Sequence, residues 1–392
     1  MISRVSVKYF KRFEDETFNL SDTIVLAGPN NSGKTTLLQA ISLWNLALRK
    51  WVAERGPESK SKAKERTGVP LIRKDLTAIP LRELKLLWTD TSTAFRQHEL
   101  EAGQSPGHPR PLTVVVTIGK GTGQTEVGFE FIYRNPELVH VRPVGEATAA
   151  LPDLANQISV VHVPPFSGIG PEETRYDRPY QDLLIGQGKA GDILRNLLLE
   201  VHSRADGAWE ELCEEIRSTF GYQLLPPEYE GRPFILCEYL PGIPSGKGKG
   251  GYPQLDIASG GSGFHQVLLL MAFFYARPAT VFLLDEPDAH LHVILQKQIY
   301  DHLRSIAAER RCQLIIATHS EILVDSTSPN FIVSFFRKPH RLIEDVERDK
   351  IREALRRLTA MDILLAEQSG GVLYVEGETD FDLLRAWANV LG

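Results

Sequence analysis

Two adjacent carboxylates, Asp285 and Glu286, close the apolar run Val281-Phe-Leu-Leu284. Such a run reads as a buried strand that delivers both acids to its C-terminal edge. There, one carboxylate can serve a metal ion and the next can polarise a water molecule. Far upstream, Gly28-Pro-Asn30-Asn31-Ser32-Gly33-Lys34-Thr35-Thr36 has the spacing of a phosphate-binding loop, between a predicted strand and a predicted helix. Glycines let the backbone N–H groups curl around phosphates, and the helix N-terminus adds a favourable field. Lys34 is expected to reach the β- and γ-phosphates of ATP, and Thr35 to ligate Mg²⁺. Asp285 is expected to hold the magnesium through water, and Glu286 to orient the attacking water as general base. Two further clusters stand at telling distances: Ser259-Gly260-Gly261-Ser262-Gly263 before the acids and Ala317-Thr318-His319-Ser320 after them.

The elements that must position these groups are legible as alternating patterns. Val5–Phe10 and Glu16–Leu20 read as short strands, and Thr23–Ala27 runs into the glycine-rich loop. Helical spacing follows from Leu37 to Arg49. Leu112–Ile118, Glu126–Ile132 and Leu138–Val144 form an expected strand meander with Val127, Phe129 and Phe131 on one face. Ile158–Val163 is a further strand, 189–220 a long helical stretch and Phe234–Tyr239 another strand. Phe264–Ala276 is apolar almost all round, which marks a buried helix too short to span a membrane. Strands at 280–285 and 313–317 flank another helix, as in a parallel α/β core. Phe331–Phe336 reads as an added strand and Asp349–Leu358 as a charged helix.

At 392 residues, with 42% hydrophobic and 24% charged content, the chain has room for two domains of ordinary soluble composition. A net charge of −6 gives no global basic field, so any nucleic-acid contact must be a local patch. Three cysteines without CxxC spacing read as buried thiols. No run of about 18 apolar residues and no signal-peptide pattern is present, so a cytoplasmic protein with no membrane partner is expected.

The order Ser259-Gly260-Gly261 before an apolar helix, then Leu-Leu-Asp285-Glu286-Pro287, then His319 after a strand, resembles the ABC-type ATPase head, in its SMC and double-strand-break-repair branch. The resemblance implies an α/β fold, a P-loop head with a mixed sheet core and helical and β insertions. It also implies a head-to-head homodimer, or higher oligomer, that sandwiches two nucleotides. Ser259, Gly260 and Gly261 would then close on the γ-phosphate of the opposite subunit, Asp288 would lie in the loop crossing the interface, and His319 would sense the γ-phosphate. Ser262-Gly263 stands where Gln is common in that signature. For the magnesium-side glutamine, Gln187 is one candidate and the Pro164-Pro165-Phe166-Ser167 turn is the other location.

Val372-Leu-Tyr-Val375-Glu376-Gly377-Glu378-Thr-Asp380 resembles the opening strand and turn of a Toprim domain, in which Glu376 would serve a divalent-metal site. An ABC-type head followed by Toprim is the layout of the OLD (overcoming lysogenization defect) nucleases. The implied organisation is an ATPase domain over 1–368, with an insertion at about 49–258, and the start of Toprim over 369–392. Because no later strand able to supply an Asp-x-Asp pair follows Glu376, the metal site is expected to be incomplete in these 392 residues. The basic run at 49–74 reads either as a solvated charged helix or as a DNA-backbone contact. The expected function is an ATPase, using ATP and Mg²⁺, that gates DNA cleavage by a Toprim nuclease in antiviral defence or DNA processing. The alternative is an ATP-switched sensor or scaffold that holds and releases a separate effector protein.

Overall fold

A computed structural model describes residues 1–56, 68–76, 79, 81–95, 107–119, 121–145, 150–242, 253–336, 338–357 and 383–388. Two six-stranded sheets carry the fold. The first contains β1 (Ile2–Phe10), β2 (Phe13–Asn19), β4 (Val69–Ile72), β5 (Leu112–Ile118), β6 (Thr125–Asn135) and β7 (Leu138–Val144), antiparallel in the order β2-β1-β5-β6-β7-β4. The second contains β3 (Thr23–Ala27), β8 (Val160–Val163), β12 (Val281–Asp285), β13 (Gln313–Thr318), β14 (Ile332–Ser334) and β15 (His340–Arg341). Its order is β15-β14-β3-β13-β12-β8, parallel throughout except for the β14–β15 pair. In the stretch of chain between β8 and β12, β9 (Gln223–Leu224), β10 (Glu238–Leu240) and β11 (Leu255–Asp256) form a small third sheet.

The parallel strands are apolar at their central positions because both of their faces are covered. Ile24, Leu26, Leu283 and Ile315 point toward α1 (Lys34–Arg55) and the antiparallel sheet. The alternate residues Val25, Phe282, Leu284 and Ile316 join the helical layer. That layer comprises α3 (Arg178–Gly186), α4 (Leu194–His202), α5 (Ala208–Phe220), α6 (Ser262–Ala276) and α7 (Val293–Glu309); the short α2 (Leu151–Gln157) packs on α1 instead. The chain continues through α8 (Glu321–Asp325) to α9 (Asp345–Arg357).

The two sheets are stitched by polar contacts. The Gln313 side chain accepts from the Ile2 N–H at 2.8 Å and donates to the Ile2 and Ser21 carbonyls at 2.7 and 2.8 Å. The Trp44 indole donates to the Val127 carbonyl at 2.9 Å, fixing α1 against the meander. The meander expected at 112–144 is present, with Val127, Phe129 and Phe131 buried. It is not an appendage: β5 pairs directly with β1.

Several elements differ from expectation, three of them as follows. The stretch 189–220 is a 3₁₀ turn and two helices, broken where Gly207 takes φ +85° and the Asp206 carboxylate accepts from the Ala208 N–H. Strand 234–239 shrinks to Glu238–Leu240, because the Ile235 N–H is spent on the Glu173 carbonyl. Strand 331–336 shortens to Ile332–Ser334, preceded by a 3₁₀ turn that begins at Pro329. The strand–turn–helix expected at 371–392, with Glu376, lies outside the described residues apart from 383–388.

Candidate active site

All the predicted catalytic groups arise at the C-terminal ends of parallel strands, where helix N-termini and strand ends converge. β3 leads into the phosphate loop and α1 leaves it; β12 ends at Asp285, and β13 ends just before His319. Gly33 has φ +110°, and a Cβ there would meet the Arg12 side chain at 2.8 Å and the Phe13 ring at 3.1 Å. Only glycine fits that turn.

The loop encloses a cavity of about 400 Å³ lined by Asn30, Asn31, Ser32, Gly33, Lys34, Thr35, Thr36 and Glu286, together with Lys11 and Arg12. Lys34 is buried (4% exposed), and its ammonium donates to the Gly28 and Pro29 carbonyls at 2.7 and 2.8 Å. Burial lowers its pKa, against the opposing pull of Glu286, Asp285 and Asp288. The Ser32 hydroxyl is buried in the loop and has no hydrogen-bond partner among the described residues.

The Thr35 hydroxyl donates to the Asp285 carboxylate at 3.0 Å, although 250 residues separate them. Asp285 is 3% exposed, and burial pushes its pKa up to about 6, with Glu286 adding repulsion and Thr35 and Lys34 opposing. This pair of hard oxygen donors fits Mg²⁺, whose bound charge would favour the ionised carboxylate.

Glu286 takes φ +50°, a left-handed conformation costly for a side chain of its size, and its N–H is held by the Ala317 carbonyl at 2.9 Å. The turn aims its carboxylate at His319 Nδ1, 3.3 Å away. That hydrogen bond is the main cause of a lowered pKa at Glu286 and a raised one at His319. His319 is set by the residue after it: Ser320 caps α8 by accepting from the Ile322 and Leu323 N–H groups and donates to Gln296 at 2.7 Å. Asp288 is buried beside Thr318, whose hydroxyl hydrogen-bonds to it.

Ser259, Gly260 and Gly261 do not line the phosphate cavity. Asp256 caps their 3₁₀ turn by accepting from the Ala258 N–H, and the Ser259 hydroxyl donates to the Asp256 carbonyl at 2.7 Å. A Cβ at Gly260 would strike the Phe264 ring at 2.5 Å. Gln187 also lies away from the phosphates, at the end of α3. The Pro164–Ser167 turn instead brings Phe166 against the rings of His265 on α6 and His290 beyond Glu286.

Sequence reasoning passed over Lys11 and Arg12. They sit in the turn between β1 and β2, where Arg12 donates to the Asn31 carbonyl and burial lowers the Lys11 pKa to about 8. Two adjacent cations in a tight turn were visible, but their target is set only by the sheet that folds the turn over the loop. In the basic run, Arg49 donates to the Ile158 carbonyl at 2.6 Å, Lys50 pairs with Glu54 and Asp75, and Arg73 pairs with Glu137. These cations are engaged within the chain; residues 57–67 lie outside the described residues.

Residues 1–63 match a family model described as an AAA ATPase domain. Residues 247–325 match one described as "AAA domain, putative AbiEii toxin, Type IV TA system". The first segment contains the phosphate loop and the second contains Ser259–Gly261, Asp285, Glu286 and His319, so the two halves of the candidate site lie within the two segments that are similar to AAA-type ATPase models. No curated protein matches the chain. Among solved structures, the SMC head domain from Thermotoga maritima is similar at 16% identity and TM-score 0.40, over 85% of this chain and 94% of that one. The Smc head of Pyrococcus furiosus bound to the C-terminal domain of ScpA is similar at 15% identity and TM-score 0.46, over 91% and 99%. The Smc head of Pyrococcus yayanosii gives 12% identity and TM-score 0.49, again over 91% and 99%.

Proposed function

We propose that this chain hydrolyses ATP at the phosphate loop, and that two copies join head to head so that Ser259–Gly261 of each completes the other's site. The observation that carries the hydrolase reading is the convergence of Thr35 with Asp285 and of Glu286 with His319 on one cavity at the phosphate loop. Lys34 and the loop N–H groups bind the phosphates, and Mg²⁺ held by Thr35 and Asp285 would neutralise phosphate charge. The depressed pKa of Glu286 keeps it ionised at neutral pH, ready to orient a water and accept its proton. His319 fixes that carboxylate from behind. Pairing of heads is supported by the position of Ser259–Gly261 off the chain's own phosphate cavity.

The ATPase cycle is proposed to gate DNA cleavage by a Toprim-type nuclease unit that includes Glu376, a reading supported by the sequence order alone. The decisive measurement is the ATPase rate with and without double-stranded, single-stranded and nicked DNA. Stimulation by one of these supports a DNA-directed ATPase. A rate indifferent to all three overturns it and favours a sensor that holds an effector protein, a reading supported by the toxin system named in the second family model.

A further inference from the structure

α6 holds both the turn that presents Ser259 and the turn that presents Glu286. Its adjacent residues His265 and Gln266 point in different directions from the helix, and each donates to a backbone carbonyl outside it. His265 Nε2 donates to the Ile257 carbonyl at 2.6 Å. The same carbonyl receives the Gly260 N–H at 3.0 Å, so the imidazole fixes the glycine-rich turn. A Cβ at Gly260 would stand 3.2 Å from that Nε2, which means the turn rests on the ring. Gln266 is 2% exposed, and its Nε2 donates to the Pro287 carbonyl at 3.2 Å, one residue beyond Glu286.

The turn that Gln266 holds is one the backbone resists. Glu286 has φ +50° and stands before a proline, whose ring crowds the preceding residue toward extended backbone. Such a conformation persists only where the surroundings over-determine it. Three hydrogen bonds contribute: the Glu286 N–H to the Ala317 carbonyl, the Ala289 N–H to the Glu286 carbonyl at 3.1 Å, and Gln266 to Pro287. The first comes from the sheet, the second from the turn itself and the third from α6. Packing adds to the contact with α6. A Cβ at Gly263 would lie 3.5 Å from the His290 carbonyl, and the Phe166 ring packs against both His265 and His290, with centroids 6.0 and 6.2 Å apart. A displacement of the first turns of α6 is therefore carried to the Glu286 turn.

We propose, resting on the head-to-head pairing above, that Gln266 is a positioning residue for Glu286 and links the two nucleotide sites of the dimer. Engagement of Ser259–Gly261 with the nucleotide of the opposite copy fixes the N-terminal end of α6. Gln266 passes that constraint to the turn bearing Glu286 of its own chain, whose carboxylate faces its own phosphate cavity. Nucleotide in one site thereby raises turnover in the other. Binding at the phosphate loop is untouched, because Gln266 does not line that cavity.

The test uses Gln266→Met and Gln266→Glu, which keep the length of the side chain and remove the donor. Calorimetric affinity for a non-hydrolysable ATP analogue with Mg²⁺ is expected to be unchanged, which also shows that the variants are folded. In both, kcat is expected to fall about tenfold, and the Hill coefficient of hydrolysis, above one in the unsubstituted chain, to drop to about one. In the Glu286→Gln background either substitution is expected to add no further loss of single-turnover rate, because a residue acting through the base has nothing left to act on. An unchanged kcat in both variants overturns the proposal, as do losses that add to that of Glu286→Gln, lost analogue binding in both variants, or a Hill coefficient of one in the unsubstituted chain. An unsubstituted chain that does not hydrolyse ATP, or stays monomeric with it, overturns the head-to-head ATPase reading itself, so the two failures are told apart.

Discussion

Arg195 and Asp256 form a two-pronged ion pair, Nη1 to Oδ2 at 2.9 Å and Nη2 to Oδ1 at 2.8 Å, directly behind the turn that presents Ser259. The guanidinium is 2% exposed, and it also donates to the Pro171 carbonyl at 3.1 Å, while the Arg195 and Asn196 N–H groups are held by Glu173. One buried arginine therefore ties the loop after β8 to the glycine-rich turn. Asp256→Ala removes the carboxylate from the buried guanidinium, a loss of about 2 kcal/mol, because the Asp256 side chain is 36% exposed and solvent screens the pair. Denaturant unfolding is expected to show that loss, with an ATPase decrease that persists where the variant is fully folded. An unchanged midpoint excludes the pair as an anchor.

Glu286→Gln keeps the shape of the turn but removes the base. Nucleotide binding is expected to persist while turnover falls by on the order of 10²-fold or more. Because hydrolysis would drive the heads apart, ATP should trap the variant as a dimer on size-exclusion chromatography. Near-normal turnover removes Glu286 from the role.

Action in trans is tested by complementation. Lys34→Ala is expected to abolish nucleotide binding, and Ser259→Arg to spare binding but block closure. Each is inactive alone, and mixing them restores at most one working composite site per dimer. Normal hydrolysis by Ser259→Arg refutes the assignment of the turn.

His162 supplies a pH dependence. Its side chain opens partly onto a cavity beside β8, but Nε2 is out of solvent, and burial lowers the pKa from 6.5 to about 4. The folded state thus binds fewer protons than the unfolded chain between those values. The stability linked to this group is present above pH 6.5 and is lost as pH falls toward 4, amounting to about 3 kcal/mol. His162→Gln is expected to flatten that part of the stability profile in urea titrations at stepped pH. An equally steep profile in the variant assigns the slope elsewhere.

The sequence by itself marked most residues of the candidate nucleotide site, because phosphate-loop spacing and an Asp-Glu pair after a four-residue apolar run are local patterns with local causes. The fully buried helix over 264–276 and the parallel strands beside it were legible for the same reason: apolar on all sides means covered on all sides. Tertiary structure alone decided which distant groups meet. Thr35 and Asp285 are 250 residues apart and touch only because β3, β13 and β12 lie side by side in the sheet. Nothing near Lys11 or Arg12 in the chain says that their turn will fold over Gly33, since β1 finds its second partner, β5, across about a hundred residues. The open edge of β8 is likewise a property of strand order, which spacing and periodicity do not encode.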